Sequence, residues 1–372
     1  MLNNLIYHIY WGTAGNAGLY LDEIYQVLKN AGYSQKAFVS YYYPFDYGEK
    51  VFFKRSEMEH CRYKGLVRKA LQALELLRAL CCILWNAFKD KPTLVNYSYV
   101  SNGNILLLYF LKTLKKLSKC KLIITCHDVV PFARDEKEYN KELAIKRTIC
   151  SIGDYYLIHN EQSRQDLHQL FIIDGNKIFY HPFPLMDLSK LDTEKTGDSP
   201  QYDFLFIGQM RKEKGINLLL EAWREFIRSY PNARLCIAGN PLYYKQYLED
   251  EKGWCENNRV TLKLGFVKDS DYAETVKSAR CVVFPYTAGT NSGVISTVVS
   301  LGREIITSDI GMFAENSFVP KENMFIAGDW MDLCKKMTAF YEGELKSDVN
   351  RRIAAYRKDF NRQVREVYSS IQ

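Results

Sequence analysis

The 372-residue chain has no GxGxxG dinucleotide fingerprint, no CxxC pair, no Cys/His ligand spacing and no low-complexity tract. Its nearest approach to a dinucleotide loop is GTAGNAG, where Gly12, Gly15 and Gly18 are spaced three apart. The strand pattern that follows, AFVSYYYP, carries no terminal acid to hold a ribose. A nicotinamide-dependent oxidoreductase is disfavoured on both counts. Ten cysteines are scattered, two of them adjacent at Cys81 and Cys82, which suits thiols in a reducing cytoplasm better than a disulfide framework or a zinc site. No signal-peptide pattern precedes LIYHIYWG, which reads directly as a first strand. Neither apolar stretch of the first half reads as a bilayer span, because Arg78 and Lys89 interrupt one and Lys112 the other.

What the sequence does have is length for two domains, with 47% apolar residues and a net charge of +7. The charge is uneven: between Lys50 and Lys121 there are fifteen Lys or Arg against four Asp or Glu. They are interleaved with Leu, Trp and Phe in GLVRKALQALELLRALCCILWNAF and LLLYFLKTLKKLSK. Two readings stand. Basic amphipathic helices lie on anionic membrane faces, and packing helices of an α/β domain also present solvated basic faces.

In the first half, β-rich runs near Leu5–Trp11, Ala37–Tyr42, Leu94–Val100, Lys121–Cys126, Tyr155–His159 and Lys177–Tyr180 alternate with helical patterns. Alternation of this kind predicts a parallel, doubly wound sheet whose ligands sit at the carboxyl ends of the strands. The glycine loop Gly12–Gly18 precedes a helix and either lets a ligand approach the backbone or is simply a tight turn. His127 and Asp128 end the run LIITCHD: the imidazole suits a sugar hydroxyl or a proton shuttle, and the carboxylate either orients it or caps the next helix. His159 and His181 also end strands, where either serves equally well to satisfy a backbone group. Residues 186–202, polar and rich in turn formers, read as the linker between a first domain at 1–185 and a second at 203–349.

The second domain repeats the α/β pattern more cleanly. Its focus is Pro285–Glu315, PYTAGTNSGVISTVVSLGREIITSDIGMFAE, where a buried strand stops and an apolar helix starts near Ser292. Helix starts carry unpaired N–H donors and the positive end of the dipole, so Asn291, Ser292, Gly293 and Val294 suit a phosphate; an ordinary turn with Ser292 as N-cap is the plainer reading. Arg211 and Lys214 follow the first strand of this domain, and guanidinium and ammonium aimed at the same crevice suit a diphosphate. A solvated basic turn would use the same residues. Asp269-Ser270-Asp271 has the form of a metal-binding DxD, yet it directly precedes a helix and is read as a cap. No metal site is expected.

With these pieces placed, the chain resembles the retaining family-4 glycosyltransferases of the GT-B fold over most of its length. The glycine loop before a helix ending in NAGY, CHDVVPF, FIGQMRKEKGINLLLEAW, LCIAG, LGFV and SDIGMFAE stand in the family's order. The resemblance implies two Rossmann-like domains facing across a cleft, with the C-terminal helix, 350–372, returning to the first. It implies that Arg211 and Lys214 bind the diphosphate of a nucleotide sugar, that Phe266 and Val267 place the base, and that His127 touches the donor sugar. Gly15, Gly18, Gly208, Asn291, Ser292, Gly293, Val294, Thr297 and Glu315 would complete the donor site, with Asn16 and Asp128 on the acceptor side. The family's usual Glu-x7-Glu falls on Gly289 and Thr297, neither of them acidic; Pro285, Tyr286, Ser292, Gly293 and Val294 instead match a branch with a PY…SGV pattern.

The expected activity is transfer of a sugar from a nucleotide-diphosphate sugar to a saccharide or lipid-linked saccharide, with retention and without metal or other cofactor. The expected setting is bacterial surface polysaccharide synthesis (capsule or lipopolysaccharide), in the cytoplasm, with peripheral association at the inner, anionic membrane face and no nucleic acid partner. A non-catalytic nucleotide-sugar-binding partner protein and a sugar-nucleotide epimerase are the competing readings.

Overall fold

The computed structural model describes residues 5–12, 17–57, 61–98, 105–127, 129–131, 136–188, 200–267, 269–289, 293–345 and 348–371. The chain divides into two compact units, Met1–Pro182 with Phe360–Gln372, and Phe183–Asp359.

In the first unit the order is β1 (Leu5–Tyr10), α1 (Ala17–Asn30), β2 (Ser34–Ser40), β3 (Glu49–Phe52), α2 (Gly65–Asp90), β4 (Leu94–Ser98), α3 (Ile105–Ser118), β5 (Lys121–Thr125), α4 (Glu136–Cys150), β6 (Tyr155–Ile158), α5 (Glu161–Phe171) and β7 (Ile178–Tyr180). The strands form a seven-stranded parallel sheet in the order β3-β2-β1-β4-β5-β6-β7. Every residue of β1, LIYHIY, is buried, as a strand covered by helices on both faces must be. The one polar member, His8, meets this burial by pairing its Nε2 with Gln35 Oε1 at 2.9 Å. The short edge strand β3 has no counterpart in the sequence reading: it is four residues long, and its register on β2 is broken by a bulge at Val39/Ser40.

The second unit runs β8 (Tyr202–Ile207), α6 (Ile216–Ser229), β9 (Leu235–Gly239), α7 (Lys245–Asp250), α8 (Lys252–Asn257), β10 (Val260–Leu264), α9 (Asp269–Lys277), β11 (Ala279–Phe284), α10 (Gly293–Ser300), β12 (Glu304–Ser308), α11 (Gly311–Glu315), β13 (Met324–Phe325) and α12 (Trp330–Tyr341). Its six parallel strands lie in the order β10-β9-β8-β11-β12-β13. The apolar positions of α6 fall on one stripe, and Ile216, Leu219, Leu220, Trp223 and Phe226 are buried on the sheet. Trp223 is the largest buried side chain, and its indole N–H is satisfied by the Asn258 carbonyl at 2.9 Å. At α12, Asp329 accepts from the amides of Met331 and Asp332 at 2.9 and 3.0 Å, a side-chain cap of the kind favoured at helix starts.

The two compact units divide in sequence between Pro182 and Phe183. Leu185, Met186 and Leu188 are buried, and the Met186 amide donates to Ser296 Oγ at 2.9 Å, so this chain segment belongs to the second core; residues 189–199 lie outside the described residues. The last helix, α13 (Val349–Ile371), contributes residues to both units. In the second unit, Tyr356 donates to the Phe183 carbonyl at 2.8 Å; in the first, Asn96 Nδ2 donates to Tyr368 Oη at 2.9 Å.

Candidate functional site

Strand order decides where each sheet offers a crevice. In the second unit β8 neighbours both β9 and β11, so the connections leave in opposite directions and the turns after β8 and β11 diverge at the carboxyl edge. Ligands of doubly wound sheets bind at such a point. Arg211 and Lys214 are in the turn after β8, and Pro285–Gly289 is the turn after β11.

Backbone contacts lock these two turns together. Gly215 has φ +66, and a Cβ there would stand 1.9 Å from the Pro285 carbonyl oxygen, so only glycine permits the approach. The Thr287 amide donates to the Glu213 carbonyl at 2.9 Å. The Lys214 ammonium consequently rests on the Tyr286 ring, 3.6 Å from its centroid. Arg211 Nε pairs with Glu213 Oε1 at 2.8 Å, with about a third of the Arg side chain exposed. Two cations are thus held in the turn after β8, beside the turn after β11 that leads to α10, whose first described residues Gly293 and Val294 are half-buried. Gly208 directly follows β8, its amide donating to the Ala238 carbonyl at 3.1 Å; at Gly239 a Cβ would come within 1.9 Å of the Gly208 carbonyl oxygen, which fixes how closely these strand ends sit.

Phe266 and Val267 follow β10. Phe266 is 71% exposed, and both residues line an open cavity of about 560 Å³ whose other wall is Asp271, Glu274 and Thr275 of α9. An exposed ring and backbone beside an open groove give a planar, uncharged group a surface to lie on. Glu315 ends α11 and is exposed. Thr297 departs from expectation: it is fully buried, its hydroxyl donates to the Val294 carbonyl at 2.8 Å, and Tyr272 Oη lies 3.2 Å away. The residue in the position of the family's second acid thus has its hydroxyl engaged within the fold. Asn291 and Ser292, with Gly15, Asn16 and Asp128, lie outside the described residues. Gly18 is buried inside α1, where a Cβ would make ordinary contact with Tyr43 at 3.5 Å, so the fold does not demand glycine there. Helix α9 begins at Asp269, which puts the DxD tripeptide in its first turn.

In the first unit His127 is one end of a cluster the sequence did not assemble. Tyr20 of α1 meets it edge-on with ring centroids 4.6 Å apart, and His159 stacks on it at 5.3 Å. His181 follows at 4.8 Å from His159. His127, His159 and His181 close β5, β6 and β7, which are adjacent in the sheet, so strand order alone gathers them. Carbonyl oxygens only accept, so two tautomers are fixed: His159 Nδ1 donates to the His181 carbonyl at 3.2 Å, and His181 Nδ1 to the Pro182 carbonyl at 2.9 Å. His181 Nε2 is then an acceptor for the Tyr20 hydroxyl at 3.3 Å. Burial pushes His181 down to about 4; desolvation, with His181 nearby, does the same to His127, and His159 is lowered further in the same direction. His127, intermediate in exposure as a residue but with Nε2 buried, is a neutral imidazole at physiological pH, suited to hydrogen-bonding and not to carrying charge. Tyr20 and Glu213 had no signal in the sequence beyond their neighbours; the strand-end positions of His159 and His181 were the visible one.

Two successive parallel sheets of this order, with helices between the strands, define a two-domain α/β GT-B fold, and solved structures of that kind agree over nearly the whole chain. The protein HepE from Anabaena, solved with UDP and glucose, superposes with a TM-score of 0.62 at 14% identity, covering 98% of this chain and 99% of its own. A putative UDP-N-acetylglucosamine 2-epimerase from Listeria monocytogenes does so with 0.59 at 11% identity, covering 99% and 96%. Residues 201–342, most of the second unit, match the family model "Glycosyl transferases group 1". Two GDP-mannose:glycolipid 4-beta-D-mannosyltransferases of Xanthomonas campestris pv. campestris are 28% and 29% identical over 114 and 102 residues, or 31% and 27% of this chain. These matches span about a third of the length of the curated relatives, 32% and 29%.

Proposed function

We propose that the chain is a glycosyltransferase that moves a sugar from a nucleotide-diphosphate sugar to a saccharide or lipid-linked saccharide acceptor, in assembly of a bacterial surface polysaccharide. The observation that carries this reading is the locking of the Arg211–Lys214 turn against the turn after β11, at the switch point of the unit that matches the glycosyltransferase model. Glycosyl transfer needs the leaving diphosphate stabilised as its bond to the sugar lengthens. Cations fixed before the reaction do so without reorganising. Lys214 gives up a contact with Tyr286, and Arg211 one with Glu213, when an anion arrives, so both side chains are already held close to where they act.

The groove beside Phe266 and Val267 takes the base. His127, kept neutral, donates to or accepts from a hydroxyl of the sugar. We assign retention of configuration by front-face attack assisted by the leaving phosphate, because double displacement needs a carboxylate at the anomeric carbon, and the residue assigned to the donor sugar, His127, is not one. The chemistry uses no divalent metal. In a transfer assay, Arg211→Ala and Lys214→Ala should each lower turnover at least about tenfold, and a chelator should leave it unchanged. Near wild-type rates in both variants would overturn the assignment. The anomer of the product, read by NMR, tests retention separately: a donor anomer carried through unchanged supports it, and an inverted linkage removes it while leaving transfer intact.

A further inference from the structure

Helix α2 presents an apolar stripe to the outside of the first unit. Leu66, Leu74, Leu77, Trp85 and Phe88 are between 51% and 84% exposed, with Ala70, Ala73 and Cys81 filling the steps between them. These positions recur every three or four residues, so they form one continuous face about 33 Å long at 1.5 Å per residue. A stripe of that size on a helix surface is not the scatter of single apolar residues that folded proteins tolerate. The adjoining helix α3 adds Tyr109, 61% exposed, and Leu106.

By length and composition alone α2 could cross a membrane, the charges at Arg78 and Lys89 notwithstanding. Packing rules that out. Its opposite face, Ala79, Leu80, Ile83 and Ala87, is buried at 0–4% in the first unit's core. Both of its acids are tied down: Glu75 accepts from the amides of Arg55 and Ser56 at 2.9 and 3.1 Å, and Asp90 from Tyr7 and Lys36, each at 2.6 Å. Detaching the helix would break those bonds and open the core. The stripe can meet lipid only from the side.

Charge selects the partner. Lys64, Lys69, Arg78, Lys89, Lys112 and Lys116 are exposed on α2, on α3 and beside them, while the acids just named are drawn inward. The Lys89 ammonium lies 4.7 Å from the centroid of the Trp85 ring, an aromatic-cation pairing of the kind found at the headgroup level. We infer that α2 is an in-plane membrane helix that docks the first unit side-on to a bilayer bearing anionic headgroups, its stripe sunk at the boundary of headgroup and acyl chain. The helix lies in the unit opposite in sequence to Arg211 and Lys214, so this inference stands whatever chemistry the second unit performs.

The test is sedimentation of the full chain with phosphatidylcholine vesicles, with and without phosphatidylglycerol, at low and high salt, alongside Trp85 fluorescence. Binding should require phosphatidylglycerol, weaken with salt, and shift emission to the blue in wild type but not in Trp85→Phe. Leu77→Glu with Trp85→Glu, both at exposed positions, should keep the circular dichroism spectrum and unfolding midpoint yet bind at least about tenfold more weakly. Lys112→Gln with Lys116→Gln should cost roughly 25-fold, five-fold per cation. Failure of the folded wild type to bind anionic vesicles at low salt overturns the inference. So does equal binding by the Leu77/Trp85 variant, or a wild-type dimer that the same variant renders monomeric, which would put a second copy of the chain on the stripe.

Discussion

Lowering the pH should destabilise the first unit well before its carboxylates titrate. His8 and His181 are buried at 1% and 0% exposure, and burial holds each at about 4 against an ordinary 6.5. A histidine whose pKa is depressed on folding binds fewer protons native than unfolded, so its contribution is present above the unfolded value and is lost as pH falls towards the folded one. At pH 5 the unfolded imidazole is almost fully charged and the native one about nine-tenths neutral, a loss of ~2 kcal/mol per histidine relative to neutral pH. These two sites, of which only His181 belongs to the cluster, together give ~4 kcal/mol, or roughly 8–16 °C in a unit of this size, and His127, lowered by burial in the same way, adds in the same direction. Asp90, whose paired carboxylate is held below its ordinary value by Lys36 and Tyr7, loses its contribution only at lower pH and leaves this window clean.

Urea unfolding at steps from about pH 7 to pH 5 measures the slope, expected near 1 kcal/mol per pH unit for each buried histidine. His181→Gln should remove one such increment of slope. Stability that is flat or rises as pH falls through this range, or native His8 and His181 imidazoles that titrate near 6.5 by NMR, would refute the reasoning.

Two further outcomes follow from packing in the second unit. Gly215→Ala places a Cβ 1.9 Å from the Pro285 oxygen in a left-handed backbone, so it should cost at least about 2 kcal/mol and loosen nucleotide binding, read by urea unfolding and by titration. Trp223→Ala empties the core beneath α6 and leaves the Asn258 carbonyl without its 2.9 Å donor, and should cost about 3–5 kcal/mol while leaving the affinity of the remaining folded protein for nucleotide unchanged.

The alternation of apolar runs and amphipathic helices was enough to foresee two doubly wound sheets, because strands buried on both faces leave an unmistakable pattern: LIYHIY and CVVFP have nowhere to go but inside. What it could not show was short or irregular. The edge strand Glu49–Phe52 is too brief to carry a period, and β13 is two residues long. Arg211 and Lys214 were visible as cations at a strand end. Their companions were not, since Glu213 and Tyr286 meet them only through the close approach at Gly215. Thr297 was read by its place in a motif, and a motif position does not report burial. The histidine cluster was half legible: three histidines stood at strand ends, but their adjacency depends on β5, β6 and β7 being neighbours, and Tyr20 comes from a helix more than a hundred residues away.

The most direct test of the central claim is thermal unfolding of the purified chain against UDP-, GDP-, ADP-, CMP- and dTDP-sugars without metal, repeated with Arg211→Ala. A donor at a hundred times its dissociation constant stabilises the folded protein by about 2.7 kcal/mol, a shift of roughly 5–10 °C. The account predicts such a shift with one nucleotide class, abolished by Arg211→Ala. No shift with any donor, in protein shown to be folded, or a shift that the substitution leaves intact, would contradict it.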